Sequence, residues 1–211
     1  MENQTYHMNY IELEKKDIIA KGGERSCFLH PNDNKKLIKI IYVKDSHNQQ
    51  NKLEHIYMSY LEKKRTNLNQ VAKYYGEINT NFGIGLIFER ITDYDNQPSK
   101  SFRYYIANKL IPIELQKNLL NELKLYLEKN SILFVDTSMT NVFCKKIDPL
   151  NYKLIIIDGL GAKRIGFKFW FYRHCKLYTK YKIKKQWHKY MQMYKKDLKR
   201  IKLGVRPIKR Y

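Results

Sequence analysis

The feature that most limits what this chain can fold into is a change of hydrophobic period partway along it. In the first half, short apolar runs alternate with turn signals. Asp17-Ile-Ile-Ala is the first run, Gly22-Gly23 breaks it, Ser26-Cys-Phe-Leu is the second, and His30-Pro-Asn-Asp-Asn34 is a dense turn cluster. Leu37-Ile-Lys-Ile-Ile-Tyr-Val43 then alternates, with β-branched residues around one lysine. Residues 48–64 switch to helical spacing, with Leu53, Ile56, Tyr57, Tyr60 and Leu61 on one face. Two more strand-like runs follow at Tyr74–Ile78 and Gly85–Phe88, then a hinge-like stretch, Glu89-Arg-Ile-Thr, and the polar loop Asp93–Lys100. Beyond the loop the helical period takes over: residues 113–130 align Leu115, Leu119, Leu120, Leu123 and Leu127. Two short strands, Ile132–Val135 and Val142–Lys145, flank the loop Asp136–Asn141, and a third, Lys153–Ile157, ends at Asp158. From Phe167 onward the pattern is helical, basic and tyrosine-rich. Strands first and helices after predict an α+β chain. Residues 1–91 are expected to form a mainly antiparallel five-stranded N-lobe with one helix, and residues 92–211 a small, mainly helical C-lobe.

A chain of 211 residues with 43% hydrophobic residues can bury a core and suits one domain or two small lobes. No apolar run is long enough to span a bilayer. Met1-Glu-Asn-Gln-Thr-Tyr lacks the basic and then apolar regions of a secretion signal, which predicts a cytoplasmic protein. Three scattered cysteines (Cys27, Cys144, Cys175) agree with reduced thiols, and no CxxC or HExxH points to zinc. Charge is distributed unevenly. Residues 163–211 hold 18 Lys and Arg against one acid, Asp197, so +17 of the net +21 lies there. Such asymmetry calls for an anionic partner: a phosphorylated glycan or lipid, a membrane surface, or nucleic acid.

Three segments carry the chemistry. Lys39 sits mid-strand and Glu54 on the helix after it, an order in which the carboxylate can hold the ammonium over a phosphate. Taken alone, each would read as a solvated surface charge. Gly22-Gly23 lies sixteen residues before Lys39, where a glycine turn lets backbone N–H groups approach phosphates, although a plain hairpin turn fits nearly as well. Asp136 and Asn141 are five apart, the D-x-x-x-x-N spacing of a kinase catalytic loop. There the aspartate accepts the proton of the attacking hydroxyl and the asparagine ligates magnesium. Asp158-Gly159 ends an apolar strand seventeen residues past Asn141, placing a second oxygen donor for the metal. Each pair also reads as an ordinary polar turn. In series, they predict ATP- and Mg2+-dependent phosphoryl transfer.

These residues resemble the PhoP-regulatory-network (YrbL-like) family of small bacterial proteins with a protein-kinase-like fold. The matching stretches are Cys27-Phe-Leu-His-Pro, Leu37-Ile-Lys-Ile-Ile-Tyr42, the helix around Glu54, Asn141-Val-Phe-Cys144 and Ile157-Asp158-Gly159, within residues 10–185. The resemblance implies a two-lobed kinase-like fold that binds nucleotide. It implies Lys39 and Asp136 as catalytic residues and Lys39, Glu54 and Asn141 around the nucleotide; the Gly22-Gly23 turn and Glu89 of the hinge-like stretch join them as candidates by their place in the strand order. Asn141 and Asp158 would hold the metal. Ser138 stands where a protein kinase has a lysine, and only 53 residues follow Asp158, short for a peptide-docking subdomain. The first counts against efficient protein-kinase activity, and the second favours a compact kinase of glycan or glycolipid, such as a lipopolysaccharide core sugar. The alternative is a non-catalytic, pseudokinase-type regulatory protein acting through its basic C-terminal surface.

That surface begins with Gly166-Phe-Lys-Phe-Trp-Phe-Tyr-Arg-His174 and runs on through Trp187, Tyr190 and Tyr194. Rings beside lysines suit peripheral contact with the inner membrane face. Nucleic acid would use the same ingredients but ranks last, because no common recognition motif is present.

Overall fold

A computed structural model of the chain describes residues 10–43 and 50–205. The expectations for Met1–Tyr6, for residues 48–49 of the first helix and for residues 206–211 of the basic segment lie outside the described residues. The chain divides into two compact units, Met1–His55 with Lys73–Arg90, and Ile56–Ala72 with Ile91–Tyr211. Among the described residues the architecture is mixed α+β, with a six-stranded sheet, a three-stranded sheet and five α-helices.

The first unit holds β1 (Tyr10–Ile11), β2 (Ile18–Lys21), β3 (Arg25–His30), β4 (Asp33–Ile41), β5 (Tyr74–Thr80) and β6 (Gly83–Glu89). They pair in the order β1-β5-β6-β4-β3-β2. Every neighbouring pair is antiparallel except β1 with β5, which is parallel. The sequence predicted five strands here; β1 is the sixth. Two residues are too few to show a period. The strand is placed instead by Asn81, whose side-chain oxygen accepts from Leu13 N and whose Nδ2 donates to Leu13 O, both at 2.9 Å. One side-chain amide thus stands in for a ladder rung.

β4 shows why the strand alternates. Ile38 and Ile40 enter a core with Leu13, Phe28 and Ile78. Lys39 between them leaves by the other face, in register with Cys27 and Leu86. Because β4 has a neighbour on both sides, Lys39 is no edge-strand lysine. Helix α1 (Gln50–Lys63) starts in this unit with Asn51 and Glu54 buried. It ends in the second unit, where Tyr57, Met58 and Leu61 are buried at the spacing of one helical face.

The second unit contains α2 (Phe102–Ala107), α3 (Ile113–Asn130), α4 (Phe167–His174) and α5 (Lys176–Lys202). Its small sheet is β7 (Lys100–Ser101), β8 (Val142–Lys146) and β9 (Tyr152–Ile156), in that order. α3 buries Leu119, Leu120, Leu123 and Leu127, as its period predicts, and stops at Ser131, which takes a left-handed conformation. α2 begins on a cap: the Ser101 hydroxyl accepts from Tyr104 N, a contribution of about 1 kcal/mol. Ile132–Val135, expected as a strand, forms only an isolated bridge between Phe134 and Leu160. Its apolar side chains are buried on all sides, and its backbone bonds to the turn after β9 rather than to β8. α5 sends Thr179, Ile183, Gln186, Tyr190, Tyr194 and Asp197 inward, and Asp197 receives Arg103 Nε from α2 at 2.7 Å.

Candidate functional site

The first constellation grows from β3, β4 and the start of α1. Lys39 Nζ lies 3.0 Å from Glu54 Oε1, with both side chains buried, and its charge sits 4.1 Å from the centre of the Phe88 ring. Arg25, two residues from the Cys27 partner of Lys39 and on the same face, reaches the other carboxylate oxygen through Nη1. The same Nη1 donates to Asn51 Oδ1 at 3.3 Å, while Asn51 Nδ2 donates to Lys39 O at 3.2 Å. Each oxygen of Glu54 therefore takes a different cation. Buried charge is tolerable only when paired and hydrogen-bonded in this way. Sequence reasoning passed over Arg25. Its signal exists only once the register is known: a hairpin pairing Cys27 with Lys39 puts residue 25 diagonally beside residue 39 on one face.

Gly22 and Gly23 join β2 to β3. Gly22 N donates to Arg25 O at 2.8 Å, and the Tyr42 hydroxyl donates to both glycine carbonyls. These bonds make a hairpin turn, and neither glycine has positive φ. Glu89 ends β6. Its N–H donates to Lys73 O, and its carboxylate accepts from Lys73 N at 3.3 Å, fastening β5 to β6.

The second constellation lies at the open end of the β8–β9 hairpin. Val142 pairs with Ile156, and Ile157 N donates to Asn141 O at 2.9 Å. This extra rung leads the chain from β9 directly to Asp158. Asn141 closes a single 3-10 turn, Met139–Asn141, anchored by Met139 in the core and capped by Ser138. Its Nδ2 donates to Asp136 O at 3.1 Å and to Asp136 Oδ2 at 3.0 Å. Gly159 O accepts from Val135 N and Asp136 N at 2.8 and 3.0 Å, and Gly159 N donates to Asp158 Oδ1 at 2.7 Å. Gly159 has φ +83°, and a Cβ there would stand 2.7 Å from Asp136 O and 2.9 Å from Asp136 Cβ. Only glycine lets the turn close on the loop. Gly161 repeats the device against Tyr57, whose ring a Cβ would meet at 2.8 Å. The hydroxyl of Tyr57 in turn accepts from Leu133 N at 2.9 Å.

Asp136, Asn141 and the Asp158-Gly159 turn are thus brought together, as Lys39 and Glu54 are in the other unit. Asp136 is exposed and one of its oxygens is fixed by Asn141. Magnesium prefers hard oxygen donors and keeps several ligand positions for water or phosphate. Asp158 offers a carboxylate. Asn141, with its nitrogen committed to Asp136, offers Oδ1, so the residues fit that ion. Among the described residues no three or more His, Cys, Asp or Glu gather into a cage of protein ligands.

Residues 11–195 match the family described as PhoP regulatory network protein YrbL. Relatives include proteins of Escherichia coli (strain K12) and Shigella flexneri, each named "Uncharacterized protein YrbL". Each is 25% identical over 158 residues, covering 74% of this chain and 75% of the relative. No described helix is long and apolar enough to cross a membrane.

Proposed function

The chain belongs to the family of the PhoP regulatory network protein YrbL, and on that footing we propose that it is an ATP- and magnesium-dependent phosphotransferase of two-lobed, kinase-like fold. Its acceptor is a hydroxyl of an anionic glycan or glycolipid, such as a lipopolysaccharide core sugar. The observation that carries this reading is the Asp136–Asn141 hydrogen bond closed against the Asp158-Gly159 turn. It joins residues that a catalytic loop and a metal-binding turn would each have to supply.

Asp136 accepts the proton of the attacking hydroxyl, and Asn141 Nδ2 on Oδ2 fixes the carboxylate for that task. Asp158 and Asn141 hold magnesium, which when bound neutralises phosphate charge. Lys39, oriented by Glu54, places its ammonium on the α- and β-phosphates, and Arg25 holds the second oxygen of Glu54 so that the carboxylate cannot swing away. Calorimetric titration with ATP tests the reading. Binding is expected to require magnesium, to vanish in Asp158→Ala and to weaken in Lys39→Ala. An intact chain that binds no nucleotide, or an Asp158→Ala variant with full turnover, ends it.

A second reading, a non-catalytic regulator of pseudokinase type, is favoured by Ser138. That position lacks the cation of a protein kinase, and its hydroxyl is bonded to Thr140 Oγ1 at 2.7 Å. The family description, which speaks of a regulatory network, supports the same reading. A regulator keeps its function in Asp136→Ala, whereas an enzyme loses most of its rate.

A further inference from the structure

α4 is aromatic on two sides, and its core accounts for only one. Phe169 and Tyr172 are buried. Phe167 and Trp170 face outward, with Phe167 76% exposed. The outer rings are ordered against one another: Phe167 stacks on Trp170 at 6.1 Å and Trp170 on His174 at 4.6 Å. Phe171 meets Phe167 and Trp170 edge-on at 4.8 and 5.2 Å. Ile165 before the helix and Leu177 after it, the latter 81% exposed, extend the apolar surface along the chain. Single exposed apolar side chains are ordinary, but a built aromatic ladder on the surface marks a docking site.

The charge beside α4 says what docks. Lys182 of α5 stands 6.0 Å from the centre of the Tyr172 ring of α4, and it is held below the usual lysine range by partial burial and then by the charges of Lys185, Lys189, Lys168 and Lys163, so cations of the two helices gather beside α4. The single acid of the segment does nothing to offset them. Asp197 is 2% exposed and bound to Arg103 in the interior.

We propose that α4, with the first turns of α5, is a docking surface for a bilayer rich in anionic lipid. Phe167, Trp170 and Leu177 enter the interface, and the lysines around Lys182 meet the phosphates. This inference rests on none of the phosphotransfer residues. Single-stranded nucleic acid needs free ring faces on which bases stack. Here Trp170 is already stacked against Phe167 and His174, and Ile165 and Leu177 offer a base nothing. Hydrocarbon and headgroups accept both kinds of side chain.

Vesicle flotation of the full chain tests this. Vesicles of phosphatidylglycerol and phosphatidylethanolamine should float the protein, and phosphatidylcholine vesicles should not. Phe167→Ala with Trp170→Ala is expected to weaken partitioning by about tenfold or more, with Trp187 fluorescence showing that the variant remains folded. Lys182→Glu with Lys185→Glu should abolish it at low salt. In Trp187→Phe, Trp170 emission should shift to the blue on binding. Unchanged flotation of the ring variant overturns the proposal, as does flotation without a Trp170 shift. Binding of polyuridylate with no binding of anionic vesicles overturns it in favour of RNA.

Discussion

The two units hold their candidate residues by opposite means. In the first, Arg25, Lys39 and Glu54 stand on regular elements, are 7%, 5% and 6% exposed, and hold one another side chain to side chain. In the second, Asp136 is exposed on a loop, and most of its fixing comes from backbone bonds and the close approach of Gly159. The difference teaches where chemistry and stability can be separated. Removing a member of the buried ionic cluster strands charge in a dry interior, so the same change that would test its role also threatens the fold. A change at Asp136 touches little that the fold depends on.

The sharpest attempt to break this contrast is Glu54→Ala. It deprives both Arg25 and Lys39 of their carboxylate and is expected to cost about 3–5 kcal/mol, read from urea denaturation followed by circular dichroism. A loss below about 1 kcal/mol would mean that the cluster behaves as surface charge, and the contrast would dissolve.

Gly159→Ala probes the other unit, with Gly83→Ala as its measure. Both glycines have positive φ, +83° and +99°, but a Cβ at Gly83 meets nothing within 4 Å. Gly83→Ala should cost only backbone strain, about 1–3 kcal/mol. Gly159→Ala should cost more, because Asp136 must move. Equal costs would show that the turn and loop are not closely seated.

Alkali should select the second unit. Burial pushes the Cys144 thiol up to about 12 from an ordinary 9.0, and the Tyr126 phenol up to about 12 from 10.0. The unfolded chain then releases protons that the native state keeps. Stability present below pH ~9 is therefore lost as pH rises toward 12, by about 1.4 kcal/mol per pH unit for each group. Both tryptophans, Trp170 and Trp187, lie in the same unit. Urea titrations followed by tryptophan fluorescence should show the midpoint falling from pH 9 to 11, and a flat profile would contradict the burial of these groups.

The smallest expected change in stability is that of Asp136→Asn, within about 0.5 kcal/mol. If the phosphotransfer reading holds, the same variant loses about a hundredfold or more in turnover. Thermal melting beside an ATP-consumption assay separates the two effects. A melting point that collapses would place Asp136 with the structural residues and erase the contrast from the other side.

Local pattern carried much of this protein. The alternation of Leu37–Ile41 gave β4, and the leucines of residues 113–130 gave α3, because each period reports which side of one element is buried. β1, α2 and β7 left no such trace. Two residues cannot show a period, and α2 is short enough that its Ser101 cap and its packing define it. Ile132–Val135 is as apolar as a strand, but burial on every side satisfies an extended run as well as a ladder does. Among the candidate residues, the five-residue spacing of Asp136 and Asn141 was readable, and a direct hydrogen bond spans it. Arg25 escaped notice because its importance depends on the register of a hairpin.

Alone, the sequence determined the longer strands and helices that carry a clear period, the five-residue spacing of Asp136 and Asn141, and the cationic bias of the C-terminal segment. Composition and period are properties of neighbours along the chain. The tertiary structure decided that Lys39 is central and buried, that Arg25 shares Glu54 with it, that Gly159 seats Asp136, and that the acid Asp197 is hidden while Phe167 and Trp170 are exposed. Each of these depends on which distant segment packs against which, and no local period encodes that.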